Sequence, residues 1–174
     1  MSGLLFLSEE DFVILKGNKG NILCNNIQGF SLILFYSTQC KYCHELIPVF
    51  KKLPGTIGGC QFGMINVSKN KEVVIKSQQT IAPIKYVPYI VLHVNGKPYM
   101  KYQGPHQMQE ISRFIIEVSN KLKDKQQFLN KNNKKEQDTE EEIGIPSYTI
   151  GKPLYGPLDK VCYLEFDIAY NDNK

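Results

Sequence analysis

The chain has 174 residues, 42% of them hydrophobic and 22% charged, which is the size of one domain with an appendage and a composition able to fill a core. A multidomain machine and a wholly disordered chain are both excluded. The net charge of +4 comes from lysine, with Arg113 the one arginine, so bidentate phosphate or base reading has little to work with and no nucleic-acid partner is expected.

No apolar run approaches the ~20 residues of a membrane span. The short Leu4 to Leu7 patch is followed at once by Ser8, Glu9, Glu10 and Asp11, so neither a membrane anchor nor a secretory signal peptide is expected. Ser31 to Tyr36 (SLILFY) is a continuous apolar run of strand length, as expected of a central strand buried on both faces. Ser37-Thr38-Gln39 breaks it, Cys40-Lys41-Tyr42-Cys43 follows, and Leu46, Ile47, Phe50 and Leu53 then recur at helical spacing up to Pro54-Gly55. The unit predicted is strand, turn with two cysteines, helix, and Pro48 removes one backbone hydrogen bond inside that helix and bends it.

Cys60 to Val67 (CQFGMINV) reads as a second strand, and Lys69 to Gln79 as a short helix starting near Ser68 as its cap. Tyr89 to Val94 and Lys97 to Gln103 flank Asn95-Gly96, the strongest short hairpin signal, with Pro98 placing the second strand at a sheet edge where it begins. After Gly104-Pro105, the spacing of Ile111, Phe114, Ile115, Val118 and Leu122 predicts an amphipathic helix, and a compact domain of residues 1–123 closes near Lys123.

Residues 124–142 form a charged linker, lysine and asparagine first and acids afterwards, which reads as a solvated stretch. Residues 143–174 form a tail rich at first in Gly, Pro and Tyr. Within it Cys162, Leu164, Phe166, Ile168 and Tyr170 alternate with Val161, Tyr163, Glu165, Asp167 and Ala169, the mark of a strand with one apolar face. One strand cannot satisfy its own backbone, so this one must pair with something.

Five cysteines is an odd number, which argues against a fully paired disulfide scaffold and for a reducing compartment with at least one free thiol. Cys24 and Cys60 read as buried thiols that pack as small apolar groups. Cys40 and Cys43 are different, because a helix start presents unpaired N–H groups and positive dipole charge that favour a thiolate on the first cysteine. Lys41 adds a nearby cation. Cys40 is then the attacking nucleophile on a substrate disulfide, and Cys43, one turn further in, resolves the mixed disulfide and leaves Cys40–Cys43 oxidised. His44 is a bystander or a proton carrier. A zinc site would need four ligands, and Cys24, Cys60, Cys162, His44, His93 and His106 show no ligand spacing, so no metal is expected. A chemically idle cysteine pair remains the alternative.

From Leu4 to Lys123 these residues resemble the thioredoxin-like family: Cys40-Lys41-Tyr42-Cys43 looks like its C-x-x-C site, Pro48 falls where its helix is kinked, and Val87-Pro88 falls at its cis-proline. The resemblance implies an α/β thioredoxin-like fold, a mixed central sheet flanked by helices, here with a C-terminal extension. It implies protein thiols or disulfides as substrates and no cofactor. Val87 and Pro88 are the candidate substrate-binding residues, the backbone of Val87 being free to pair with an incoming peptide, and Lys41 and Tyr42 flank the same place. There are departures. Gln39 stands where the family usually has tryptophan, Lys41-Tyr42 replaces Gly-Pro, and the buried aspartate and its lysine partner fall on Leu34 and Met64. The tail, through Gly151 to Leu154 and Val161 to Leu164, resembles tails of thioredoxin-like virion proteins of large DNA viruses.

Two functions are expected from this reading. One is thiol-disulfide exchange through Cys40 and Cys43 by a protein of the cytoplasm or of a virion, tethered to a larger assembly by residues 143–174. The other is a non-enzymatic module, a minor capsid component whose tail strand adds to a neighbour's sheet, with viral capsid proteins as partners. In a third arrangement the tail strand folds back on the domain's own sheet edge.

Overall fold

The computed structural model describes residues 4–17, 19–132, 147–149 and 161–164. The strands and helices follow in the order β1 (Leu4–Leu7), β2 (Phe12–Lys16), β3 (Asn21–Asn25), β4 (Phe30–Tyr36), α1 (Lys41–Lys51), β5 (Cys60–Asn66) and α2 (Lys71–Gln78). After them come β6 (Tyr86–Val87), β7 (Tyr89–Val94), β8 (Lys97–Gln103), α3 (Met108–Asn132), β9 (Ser147–Thr149) and β10 (Cys162–Tyr163). The main sheet runs β1-β5-β4-β7-β8-β9. It is mixed: β4 lies parallel to β5 and antiparallel to β7, so the α/β architecture with a mixed central sheet is the one observed.

β4 is central because its sequence leaves no polar face. Its alternating side chains feed both layers: Leu32 and Leu34 pack with Leu46 and Phe50 of α1 and Ile111, Phe114 and Ile115 of α3. Ile33 and Phe35 pack on the other side with Phe12, Leu23 and Val73. Full burial of such side chains stabilises by roughly 1.5–3 kcal/mol each, and Leu32, Ile33 and Leu34 are all completely buried.

The hairpin of β7 and β8 turns at Asn95 (φ 51°) and Gly96 (φ 84°), the left-handed pair that a two-residue turn matching the sheet twist requires. Gly96 also accepts a 2.9 Å hydrogen bond from the Asn25 amide, and a Cβ there would collide with the Asn25 carbonyl. Pro98 lies opposite His93 next to a register shift in the β7–β8 ladder, where its missing amide does least harm. Further along, Lys101–Gln103 is covered by β9.

Four features differ from, or add to, the sequence reading. The N-terminal strand β1 pairs parallel with β5, and β2 and β3 form an antiparallel pair in register from Phe12↔Asn25 to Lys16↔Asn21. Helix α2 is capped at Asn70 rather than Ser68. The Ser68 hydroxyl is instead 2.5 Å from that of Ser37, and its amide donates to Asn66 Oδ1. Helix α3 continues past Lys123 to Asn132.

His93, on β7, is 2% exposed with Nδ1 3.3 Å from the Val91 carbonyl oxygen. Burial pushes its pKa down from 6.5 to about 4. Between those values the unfolded chain binds a proton that the folded chain refuses, so stability falls as pH drops below 6.5, by about 1.4 kcal/mol per pH unit, and levels off below about 4. Urea unfolding across this range is expected to show that slope in the wild-type chain and to lack this component in His93→Gln.

Candidate functional site

The site forms where β4 ends. Antiparallel register pairs Phe35 with Tyr89, so the residues just beyond β4 and just before β7 meet at one end of the sheet. Ser37 opens the turn: its carbonyl accepts from the Cys40 amide at 3.3 Å and its hydroxyl accepts from the Gln39 amide at 3.2 Å. Cys40 then occupies the N-cap of α1 in an extended conformation. Its carbonyl accepts the first helical hydrogen bonds, from Cys43 and His44 at 3.1 and 3.2 Å, which places its sulfur at the positive end of the helix.

Lys41 is exposed, with Nζ 4.9 Å from the centre of the Tyr42 ring, and Tyr42 packs on the inner layer. Cys43 is wholly buried. Burial pushes its thiol up to about 11, and a hydrogen bond with the Ser37 backbone offsets only part of this. Tyr36 feels Cys43 in turn, its hydroxyl raised by burial and by that neighbour. His44 directs Nε2 to the Thr38 carbonyl at 2.5 Å, on the exposed side. Facing Cys40 is the cis peptide Val87-Pro88, with the Val87 carbonyl oxygen 3.7 Å from Cys40 Sγ. The structure thus brings Cys40 and Val87 into contact, with Lys41, Tyr42, Cys43 and Pro88 adjoining them in the chain.

One member of the site was not foreseen. Cys40 is disulfide-bonded to Cys162, with a Cα–Cα distance of 6.1 Å across 122 residues of sequence, and Cys43 stays a thiol, as do Cys24 and Cys60. The sequence reading places the oxidised bond between Cys40 and Cys43, whereas here Cys40 has a different partner. The physical reason is strand pairing: β10 runs antiparallel to β6 with Cys162 opposite Val87 and Tyr163 opposite Tyr86. The Leu164 amide donates to the Lys85 carbonyl at 2.8 Å. The tail's described segments therefore lie on the chain's own domain, β9 along β8 and β10 along β6. The strand expected from Cys162 to Tyr170 is described only through Leu164, and its remainder lies outside the described residues.

Leu34 and Met64, both buried, face each other in the β4–β5 register, so an apolar pair occupies the place where the resembled family has its buried charges. Cys24 and Cys60 are buried thiols, Cys60 being pushed up to about 12 by burial. Among the described residues no three His, Cys, Asp or Glu side chains converge on a common point, and no helix is long and apolar enough to cross a membrane. The signal that would have found Cys162 was present: unlike Cys24 and Cys60, it lies on an alternating tail strand that lacks a partner of its own.

With Cys24, Cys40, Cys60 and Cys162 replaced by Ala, Cys43 is the remaining thiol and has no disulfide to exchange with. Its ultraviolet thiolate absorbance is expected to titrate near 11, and a midpoint near the free value of about 8.5 would contradict the burial described here.

Comparison with known proteins agrees with this fold. The profile of the thioredoxin family matches residues 17–117. The chain is 39% identical over 178 residues to uncharacterized protein 196R of Invertebrate iridescent virus 6, covering 98% of this chain and 95% of that protein. It is 31% identical over 102 residues to protein disulfide-isomerase like 2-2 of Arabidopsis thaliana, covering 58% of this chain but 22% of that protein. Among solved structures, human ERp44 superposes with a TM-score of 0.51 at 16% identity over 67% of this chain and 29% of that chain, a likeness of fold.

Proposed function

Because the chain belongs to the thioredoxin family, we propose that it carries out thiol-disulfide exchange with Cys40 as the attacking sulfur and Cys43 as the resolving one. The observation that carries this reading is the sulfur of Cys40, held at the N-terminus of α1, beside Val87, and bonded to a cysteine on a strand that Val87 pairs. A substrate backbone pairs with Val87, next to Pro88, as β10 does, while Lys41 and Tyr42 border the approach.

The Cys40 thiolate, favoured by the helix end, attacks one sulfur of the substrate disulfide and the other leaves as a thiolate. Cys43 then loses its proton and attacks Cys40 Sγ, which closes Cys40–Cys43 and releases the substrate's second thiolate. With Cys43 held up to about 11, roughly one molecule in ten thousand carries that thiolate at pH 7. Leu34 offers no carboxylate to take the proton, so resolution is the slow half of the cycle and accelerates about tenfold per pH unit below 11.

Cys40→Ser is expected to reduce turnover in an insulin-type disulfide reduction assay to background. Cys43→Ser combined with Cys162→Ser, which leaves neither neighbouring thiol to attack Cys40, is expected to accumulate a mixed disulfide between Cys40 and substrate, visible by mass spectrometry. Unchanged turnover in both variants would refute the proposal.

A second reading uses the same fold as a module anchored to a larger assembly through residues 143–174, with viral capsid proteins as the partner class. Its support is that the similarity to the iridescent virus protein spans the tail as well as the domain. Deleting residues 143–174 would then release the protein from particles while its domain keeps its circular dichroism, and retention of the shortened chain in the particle would refute the reading.

A further inference from the structure

We propose that Cys162 is a third redox cysteine of this chain and that Val161–Leu164 is an internal substrate. External substrates of the same site are then extended peptides with a cysteine facing Cys40 and an aliphatic residue two positions beyond it. This rests on the exchange reading of Cys40 and deepens it.

Three independent observations place the segment as a substrate would lie. The covalent one is the Cys40–Cys162 bond, made to the cysteine at the helix end and not to Cys43. The backbone one is a continuous match, Cys162 opposite Val87, Tyr163 opposite Tyr86, and the Leu164 amide on the Lys85 carbonyl at 2.8 Å. The third is side-chain placement: Cys162 and Leu164, two residues apart and so on one face of the strand, both pack against the apolar layer that also receives Tyr42 and Tyr86. Such pairing takes its affinity from main-chain hydrogen bonds and its selectivity from alternate side chains. The site therefore reads the half-buried position of Leu164 as aliphatic and disfavours a charge there, which would lose part of its water against an apolar layer.

The tail is held nearby by a second contact. β9 lies along Lys101–Gln103 of β8, and Gln103 Nε2 donates to Tyr86 Oη at 3.0 Å, joining β8 to the strand that β10 pairs. An occupant attached to the same chain competes at a high effective concentration.

The exchange balances without an added oxidant. In the Cys40–Cys43 form, the Cys162 thiolate attacks Cys40 Sγ; the Cys40–Cys162 bond forms, the Cys40–Cys43 bond breaks, and the electron pair leaves on Cys43, which takes up a proton. The chain stays at the same oxidation level, with one disulfide moved from one partner to the other. The return step needs the Cys43 thiolate, which burial makes scarce at neutral pH, so the tail-bonded form persists until a substrate thiol or alkaline pH displaces it.

The test begins with the unmodified full chain, equilibrated in mixtures of reduced and oxidised glutathione, quenched with acid, alkylated and mapped by mass spectrometry. Cys40–Cys162 is expected as the main disulfide at neutral pH, with Cys40–Cys43 increasing as pH rises. A reversible Cys40–Cys43 couple with no Cys40–Cys162 bond would overturn this inference and leave the exchange reading standing, whereas a Cys40 that forms no disulfide at all would remove both.

The second arm uses a labelled peptide of residues 159–165, oxidised as its glutathione mixed disulfide. Cys43→Ser with Cys162→Ser is expected to capture it on Cys40 at least tenfold faster than Cys43→Ser alone, in which the tail still occupies the groove. A peptide with Asp in place of Leu164 is expected to be captured at least tenfold more slowly. Equal capture of the two peptides would overturn the substrate preference, and equal capture by the two proteins would overturn the internal competition.

Discussion

The pairing of β4 with β5 on one side and β7 on the other is the constraint on which the rest depends. A strand without a polar residue on either face from Leu32 to Phe35 has to be sandwiched between two layers, and a sandwiched strand ends abruptly where Ser37, Thr38 and Gln39 begin. That end is where α1 starts, so Cys40 is delivered to the end of the central strand at the N-terminus of a helix. The antiparallel neighbour, in register at Phe35↔Tyr89, brings Val87-Pro88 to the same end. The chemistry of the site is thus a consequence of two strand registers and one helix start.

The same burial that fixes the strands sets the electrostatics. Cys43 sits one turn inside α1, under the layer formed by Phe35, Val73 and Tyr89, and no charge compensates its loss of water beyond a hydrogen bond with the Ser37 backbone. Cys40 lies at the helix end, with Val87 on its other side. Both cysteines are buried, so what sets Cys40 apart is its place at the positive end of α1, and Leu34 against Met64 keeps the interior apolar. Apolar replacement of buried charges is often neutral or stabilising, so the fold has no need of the pair; a proton acceptor for Cys43 is what goes missing.

The parts of this arrangement legible in the sequence were those encoded by local pattern. The run from Ser31 to Tyr36, the cysteine turn, the apolar spacing of α1 and α3 and the Asn95-Gly96 hairpin each express a period or a φ requirement within a few residues. Where two signals compete, local reading loses precision: Ser68 and Asn70 are both good caps, and the choice fell to the Ser37 hydroxyl, which engages Ser68 from the end of the adjoining strand β4. β2 and β3 were missed because their apolar residues do not alternate cleanly and their partner strand is each other. The bond from Cys40 to Cys162 was the least legible, since nothing local in either sequence marks a contact separated by 122 residues. What was readable was the need: a thiol on a tail strand that lacked a neighbour.

That long-range bond also changes the chain's topology. With it closed, residues 40–162 form a covalent ring that contains β5, both later helices and β7 through β9. A single peptide-bond cut inside the ring, in the lysine-rich and acidic stretch of residues 124–142 for instance, opens the ring without separating the pieces, because the sulfur link still holds the last segment to the first. The tail thus survives a nick in place, and its departure is governed by electrons rather than by proteases.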